Sequence, residues 1–184
     1  MPKFVEVEHK FCFDTMQSFK KVESAILRLY PLRDYKVDVA ERYFLIDGLN
    51  NFIIRHKVDE EKQSLTLKSF TPGKDSKTRL EVEISLAQEQ GDQLQTVEKF
   101  LTVFNSYKEY KLMKHLQVFL FPEAEVVLYQ AITQDRELYA LEIESVKESK
   151  YEALKHIKQF ELQLGLDVRK REKRCLFELL FPYG

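Results

Sequence analysis

The sequence predicts an α+β fold: a closed eight-stranded antiparallel β-barrel, in effect a tunnel with a charged lumen, with helices packed on the outside. Three observations lead there. About eight stretches alternate apolar and polar residues with a period of two. Three segments repeat apolar residues at helical spacing and so must each cover something. Three of the strands carry Glu-x-Glu on their polar face: Glu6-Val7-Glu8, Glu81-Val82-Glu83 and Glu142-Ile143-Glu144.

Each element has a local signature. Side chains on a strand alternate between faces, so Glu6, Glu8 and Lys10 share one face of the first strand and Val5, Val7, His9 and Phe11 the other. Asp14 or Thr15 caps a helix with Phe19, Val22, Ile26 and Leu29 on one side, and Pro31 stops it. From Val37 to Val58 the period drops to two around a turn at Gly48 to Asn50, a hairpin whose second arm puts Ile53, Arg55 and Lys57 on one face. After a charged turn, Ser64 to Phe70 forms a strand with Thr66 and Lys68 opposite Leu65 and Leu67. Thr71 to Lys74 turns the chain, and Lys77 to Leu86 returns with Lys77, Arg79, Glu81 and Glu83 opposite Leu80, Val82 and Ile84.

Gly91-Asp92 opens a second helix, with Gln95 as capping partner and a stripe of Leu94, Val97, Phe100, Leu101 and Phe104. Two strands follow, about Lys111 to Phe121 and Glu125 to Ile132, and then the strand of Glu142 and Glu144. Ser149 to Glu152 fits a capping box for a third helix, striped by Tyr151, Leu154, Ile157 and Phe160 and ended by Gly165. A last short helix, Arg171 to Leu180, closes the chain, its basic run Arg169 to Arg174 reading as a solvated face.

Whole-chain properties narrow the function. The 184 residues are expected to form one domain, 1–184. With 29 basic and 30 acidic residues, no bulk field recruits nucleic acid or a membrane surface. Apolar runs are too short for a membrane span, and Met1-Pro2-Lys3 leads straight into a strand with no room for a signal peptide. Cys12 and Cys175 have no metal-ligand spacing and read as small buried hydrophobes, so a cytoplasmic, reducing setting is expected. Monomer and homodimer are both open.

Six carboxylates on one lumen repel: two unit charges about 7 Å apart at an effective dielectric near 20 cost about 2 kcal/mol. Lys10, Arg55, Lys57, Lys68, Arg79 and Lys114 supply part of the compensation. Divalent cations supply the rest, and all-oxygen ligands suit Mg²⁺ or Mn²⁺ better than zinc. Metal-holding acids beside a crowd of Arg and Lys suit a ligand that carries both charge and metal, and a small triphosphate fits.

The same residues resemble the CYTH, or triphosphate tunnel metalloenzyme, family, which includes thiamine triphosphatases, inorganic triphosphatases and class IV adenylate cyclases. Glu6-x-Glu8-x-Lys10 resembles its Glu-x-Glu-x-Lys signature, Tyr43-Phe44 its Tyr-Phe strand, Arg55-His56-Lys57 its Arg-x-Arg, and Leu65-Thr66-Leu67-Lys68 its Leu-Thr-Leu-Lys. Arg79-x-Glu81-x-Glu83 and Glu142-Ile143-Glu144 resemble its later acidic strands. The resemblance implies an eight-stranded tunnel, Mg²⁺ or Mn²⁺ dependence and a triphosphate substrate. It also implies metal ligation by Glu6, Glu8, Glu81, Glu83, Glu142 and Glu144, and phosphate binding by Lys10, Arg55, Lys57, Lys68, Arg79 and Lys114. There are two departures. Leu116 stands where the family carries Arg, and no Asp appears near Gln130; Arg136 or Gln130 is expected to compensate.

The expected activity is hydrolysis of tripolyphosphate, thiamine triphosphate or a nucleoside triphosphate. The alternatives are a class IV adenylate cyclase and a non-catalytic polyphosphate-binding module. No side chain is singled out as the base that activates water. Tyr43 reads first as packing, His9 and His56 as core histidines, and His115 and His156 as surface residues.

Overall fold

The computed structural model describes residues 5–49, 51–69, 78–104, 106–145 and 149–182, and within the strands the side chains of Val5, Glu6, Thr78 and Arg79 lie outside that description. The expected turn at Thr71 to Lys74, with Phe70 and Lys77 beside it, also falls outside. Among the described residues the order is β1 (Val5–Phe13), α1 (Met16–Leu27), β2 (Arg33–Ile46), β3 (Phe52–Val58), β4 (Gln63–Ser69), β5 (Thr78–Ser85) and α2 (Leu94–Leu101). It continues with β6 (Tyr107–Leu120), β7 (Ala124–Ile132), β8 (Glu137–Ser145), α3 (Lys150–Gln163), β9 (Arg171–Glu172) and α4 (Leu176–Leu180).

The strands form one antiparallel sheet in the order β5-β4-β3-β2-β6-β7-β8-β1-β9. In addition β1 pairs with β5, through Val5 with Leu80, Glu6 with Arg79 and Val7 with Thr78. The strands outrun their sequence-read bounds at β2 and β6, which pair along their whole length from Arg33 with Leu120 to Ile46 with Tyr107. This long ladder is the spine from which β3 and β7 extend in opposite directions.

The apolar strand faces are buried under helices as their periodicity requires. Ile26 of α1 and Ile157 and Phe160 of α3 pack with Val7, Phe11, Val126, Leu128, Leu141 and Ile143. Val97 and Leu101 of α2 pack with Phe44, Ile46 and Ile54. Burying each such side chain contributes roughly 1.5–3 kcal/mol. Thr15 caps α1, its hydroxyl accepting the Ser18 amide at 3.2 Å, and Ser149 caps α3 by accepting from Glu152 at 3.5 Å. At α2 the Leu94 amide donates to Asp92 at 2.8 Å, in place of the Gln95 contact read from the spacing. Tyr151 leaves the expected α3 stripe and is 79% exposed; Ala153, two residues on, takes the buried place.

The C-terminal segment corrects two expectations. Arg171 to Leu180 is not one helix, because Arg171 and Glu172 pair with Phe11 and Lys10 of β1 and the helix is confined to α4. Within the basic run Arg169, Lys170, Lys173 and Arg174 are exposed, as a solvated face requires, but Arg171 is not: it donates to Glu161 through Nε at 2.6 Å and Nη2 at 2.5 Å, and His9 Nδ1 lies 2.8 Å from the same carboxylate. Burial alone would raise the Glu161 carboxyl, but the hydrogen bonds from His9 and Arg171 hold it below its usual range. His9 is thus the satisfied core histidine the alternation implies.

Nor does α4 lie outside. Leu176, Phe177 and Leu180 pack with Tyr43, Ile53, Leu112, Tyr129, Ala131 and Ala140. These residues are in phase with the charged ones on their strands, so part of the sheet's concave face is apolar and α4 covers it.

Candidate functional site

The concave face encloses a cavity of about 360 Å³. All ten of the expected site residues whose side chains are described line it: Lys10, Arg55, Lys57, Lys68 and Lys114 with Glu8, Glu81, Glu83, Glu142 and Glu144. Glu6 and Arg79 pair with each other on β1 and β5, and their side chains lie outside the described residues.

The charges are joined in an alternating network. Lys68 Nζ lies 2.6 Å from Glu81 Oε2, and Arg55 Nη2 donates to Glu81 Oε1 at 3.3 Å. The other Arg55 nitrogen, Nη1, donates to Glu41 Oε1 at 3.4 Å, and Lys114 donates to the same oxygen at 3.1 Å. Lys114 Nζ stands 4.9 Å from the centroid of the Tyr129 ring, whose hydroxyl donates to Glu142 at 2.8 Å. Lys10 completes the series, 3.1 Å from Glu142 and 3.5 Å from Glu8. Every strand from β1 to β8 contributes a member. In a low-dielectric interior such pairing offsets the cost of burying so many ions.

Glu41 is the member the sequence reading missed. It is 2% exposed and accepts from Tyr43 as well, at 2.7 Å. Burial would raise its carboxyl, but the Lys114 and Arg55 charges and the bonds from Tyr43 and Lys114 outweigh that and hold it far below the usual carboxylate range. Tyr43 responds in the opposite sense: burial and then the Glu41 charge push its hydroxyl well up, so it stays a proton donor. Its ring meets Phe177 of α4 at 5.6 Å, which bears out the packing role. Lys57 is lowered by burial and then by the Arg55 charge, and the negative charge of an arriving anion would oppose that shift.

A row of carboxylates crosses three strands. Glu8 of β1 is in register with Glu144 of β8, which is in register with Glu125 of β7. Directly opposite residues have Cβ atoms about 5 Å apart, and like charges there are destabilising. Among the described residues no three His, Cys, Asp or Glu side chains are already arranged to hold a metal ion. The donor chemistry nonetheless fits a hard divalent cation, because the row is all carboxylate oxygen and lacks imidazole and thiolate.

Glu125 bears on one departure from the pattern the sequence resembles. Gln130 donates to Glu137 at 2.7 Å and Arg136 to the Leu179 carbonyl at 3.3 Å, and neither lines the cavity. Glu125 supplies a carboxylate on that strand instead. Leu116 does line the cavity, beside Val127, so that part of the wall is apolar. Glu41 and Glu125 were legible by parity, two residues from Tyr43 and from Val127, but no motif marks them. His115 is a surface residue as expected, 2.7 Å from Asp38. Among the described residues no helix is long and apolar enough to cross a membrane.

No known family profile matches the chain, and no curated protein matches it in sequence. Solved structures do match its fold. The PH1012 protein of Pyrococcus horikoshii OT3 superposes with a TM-score of 0.77 at 19% identity, over 95% of this chain and 98% of that one. A proposed adenylate cyclase from Bacillus halodurans gives 0.70 at 16% identity, over 98% and 100%. HpAC1 from Hippeastrum, a proposed adenylyl cyclase with a dominant triphosphatase activity, gives 0.64 at 13% identity, over 95% and 93%. At the level of fold, the resemblance read from the sequence is borne out.

Proposed function

We propose that this chain, which shares its fold with a triphosphatase-active protein and a proposed adenylate cyclase, is a single-domain, divalent-metal-dependent hydrolase of a triphosphate such as tripolyphosphate, thiamine triphosphate or a nucleoside triphosphate. In this reading the sheet is a tunnel that holds the substrate, supported by the pairing of β1 with β5. The observation that carries the reading is the convergence of the expected cations and carboxylates on one cavity.

The charge balance supports a metal. Five cations and seven carboxylates are among the described residues lining the cavity, a formal excess of two negative charges, so a bare polyanion binds more weakly than a triphosphate that arrives with Mg²⁺ or Mn²⁺. Glu8, Glu144 and Glu125 would hold the metal, with Glu142, Glu81 and Glu83 also lining the cavity. When bound, the metal neutralises charge on the transferring phosphoryl group and eases presentation of a water to it.

The chain's own part is positioning and electrostatics. Arg55 offers a planar fork for two phosphate oxygens, and Lys68, Lys57 and Lys10 present point charges around it. Lys114 is steadied from both sides by Glu41 and the Tyr129 ring. As phosphate oxygens take up Arg55, Lys68 and Lys10, the carboxylates of Glu81, Glu142 and Glu8 that these cations now neutralise become available to the metal side.

Incubation of the full chain with Mg²⁺ or Mn²⁺ and a panel of triphosphates, with products read by phosphorus NMR, tests the reading. Orthophosphate release that is lost in Glu81→Ala is the expected result. Pyrophosphate with cyclic AMP from ATP would instead assign the cyclase reaction, which the Bacillus halodurans neighbour favours and which uses the same shell. Saturable binding with no product would leave a binding module.

A further inference from the structure

The seven lining carboxylates do not have the same surroundings. Glu41 is held by three protein donors at once, from Tyr43, Arg55 and Lys114, and two of these are the cations that face the cavity. Its register partners are Lys57 on β3 and Leu112 on β6, so it sits between the strands that carry Arg55 and Lys114. With both oxygens engaged and almost no exposure, it offers nothing to a metal. We propose that Glu41 is a positioning residue: a permanent internal counter-ion that holds the Arg55 guanidinium and the Lys114 ammonium in the orientation that meets the transferring phosphoryl group. The proposal rests on the triphosphatase reading for its kinetic form, although the geometry of the anchor does not.

Two physical arguments make the role specific. Arg and Lys side chains are long and rotamer-rich, and an unanchored pair in a roomy cavity would spread over several orientations. A fixed carboxylate behind them removes that freedom before substrate arrives, which is where preorganisation gains rate. Glu41 is also a negative charge close to the anion site, so it opposes ground-state binding while it improves alignment. Removing its charge should therefore separate rate from affinity.

The test uses full-length Glu41→Gln, Glu41→Asp and Tyr43→Phe. In Glu41→Gln, kcat should fall about ten- to a hundredfold, while metal-free tripolyphosphate binds at least as tightly as to the parent by calorimetry. Mn²⁺ affinity, measured alone by electron paramagnetic resonance, should stay within about twofold. Glu41→Asp should recover part of kcat. Tyr43→Phe, which removes one anchor bond and no charge, should lower kcat about threefold and keeps the question answerable if Glu41→Gln does not fold. Joint loss of kcat and anion affinity would reduce Glu41 to a structural role, a large loss of Mn²⁺ affinity would make it a ligand, and an unchanged kcat would end the proposal. If the parent binds tripolyphosphate without turnover, the triphosphatase reading and the kinetic role of Glu41 fail together, while unchanged or tighter tripolyphosphate binding by Glu41→Gln would still support the anchor.

Discussion

Replacing Arg55 by Met should cost this protein about 3–4 kcal/mol of stability. The guanidinium bridges Glu41 at 3.4 Å and Glu81 at 3.3 Å, with side-chain exposures of 11% for Arg55, 1% for Glu41 and 17% for Glu81. At an effective dielectric of about 20 each contact is a Coulomb attraction of about 5 kcal/mol. Much of that is cancelled by the desolvation the Arg no longer undergoes, and removal of one partner from a buried pair typically nets about 3–5 kcal/mol. Glu81 keeps Lys68 and Glu41 keeps Lys114, which places the loss in the lower half of that range. Arg55→Lys keeps the charge but lacks two separated nitrogens to span both carboxylates, so about 1–2 kcal/mol is expected. Urea unfolding followed by far-UV circular dichroism reads both variants. With a slope of roughly 2 kcal/mol per molar, the Met variant should unfold about 1.5–2 M earlier. A midpoint within about 0.3 M of the parent would refute the reasoning, because the pairs would then behave as solvated surface contacts.

Other outcomes follow from the same structure. Glu41 and Glu161 are both held below the ordinary carboxylate value of 4.5, so the stability they contribute is complete above about pH 4.5 and is lost as the pH falls through their depressed values; urea midpoints measured from pH 6 to pH 2 should drop, and drop less steeply in Glu41→Gln. Burial pushes the Cys12 and Cys175 thiols up to about 11, so both should react with a thiol-disulfide reagent at pH 8 far more slowly than a free cysteine, and a free-cysteine rate would contradict their packing. Glu161→Gln removes the charge that His9 and Arg171 share and should cost about 3 kcal/mol in urea, yet leave tripolyphosphate affinity within twofold by calorimetry, since the clamp lies outside the cavity. Chelation with EDTA should abolish orthophosphate release, and added Mg²⁺ or Mn²⁺ should restore it.

The sequence by itself determined which face of each strand every residue takes, because a period of two is a local property of extended backbone. That is why Lys10, Arg55, Lys57, Lys68, Glu8, Glu81, Glu83, Glu142 and Glu144 could be put on one side before any contact was known, and why even Lys114, on a strand with a weaker pattern, falls there too. Tertiary structure alone decided which of these side chains meet. The Glu8–Glu144–Glu125 row exists only through the registers of β1, β8 and β7, and Glu41 becomes an anchor only because the β2–β3 register sets Arg55 beside it and the distant β6 brings Lys114 to it. The position of α4 was equally hidden: five apolar-rich residues read the same whether they cover the outside of a sheet or line its hollow. Alternation is written into neighbouring residues, whereas register and enclosure depend on pairings between residues dozens of positions apart, and no short stretch of chain encodes them.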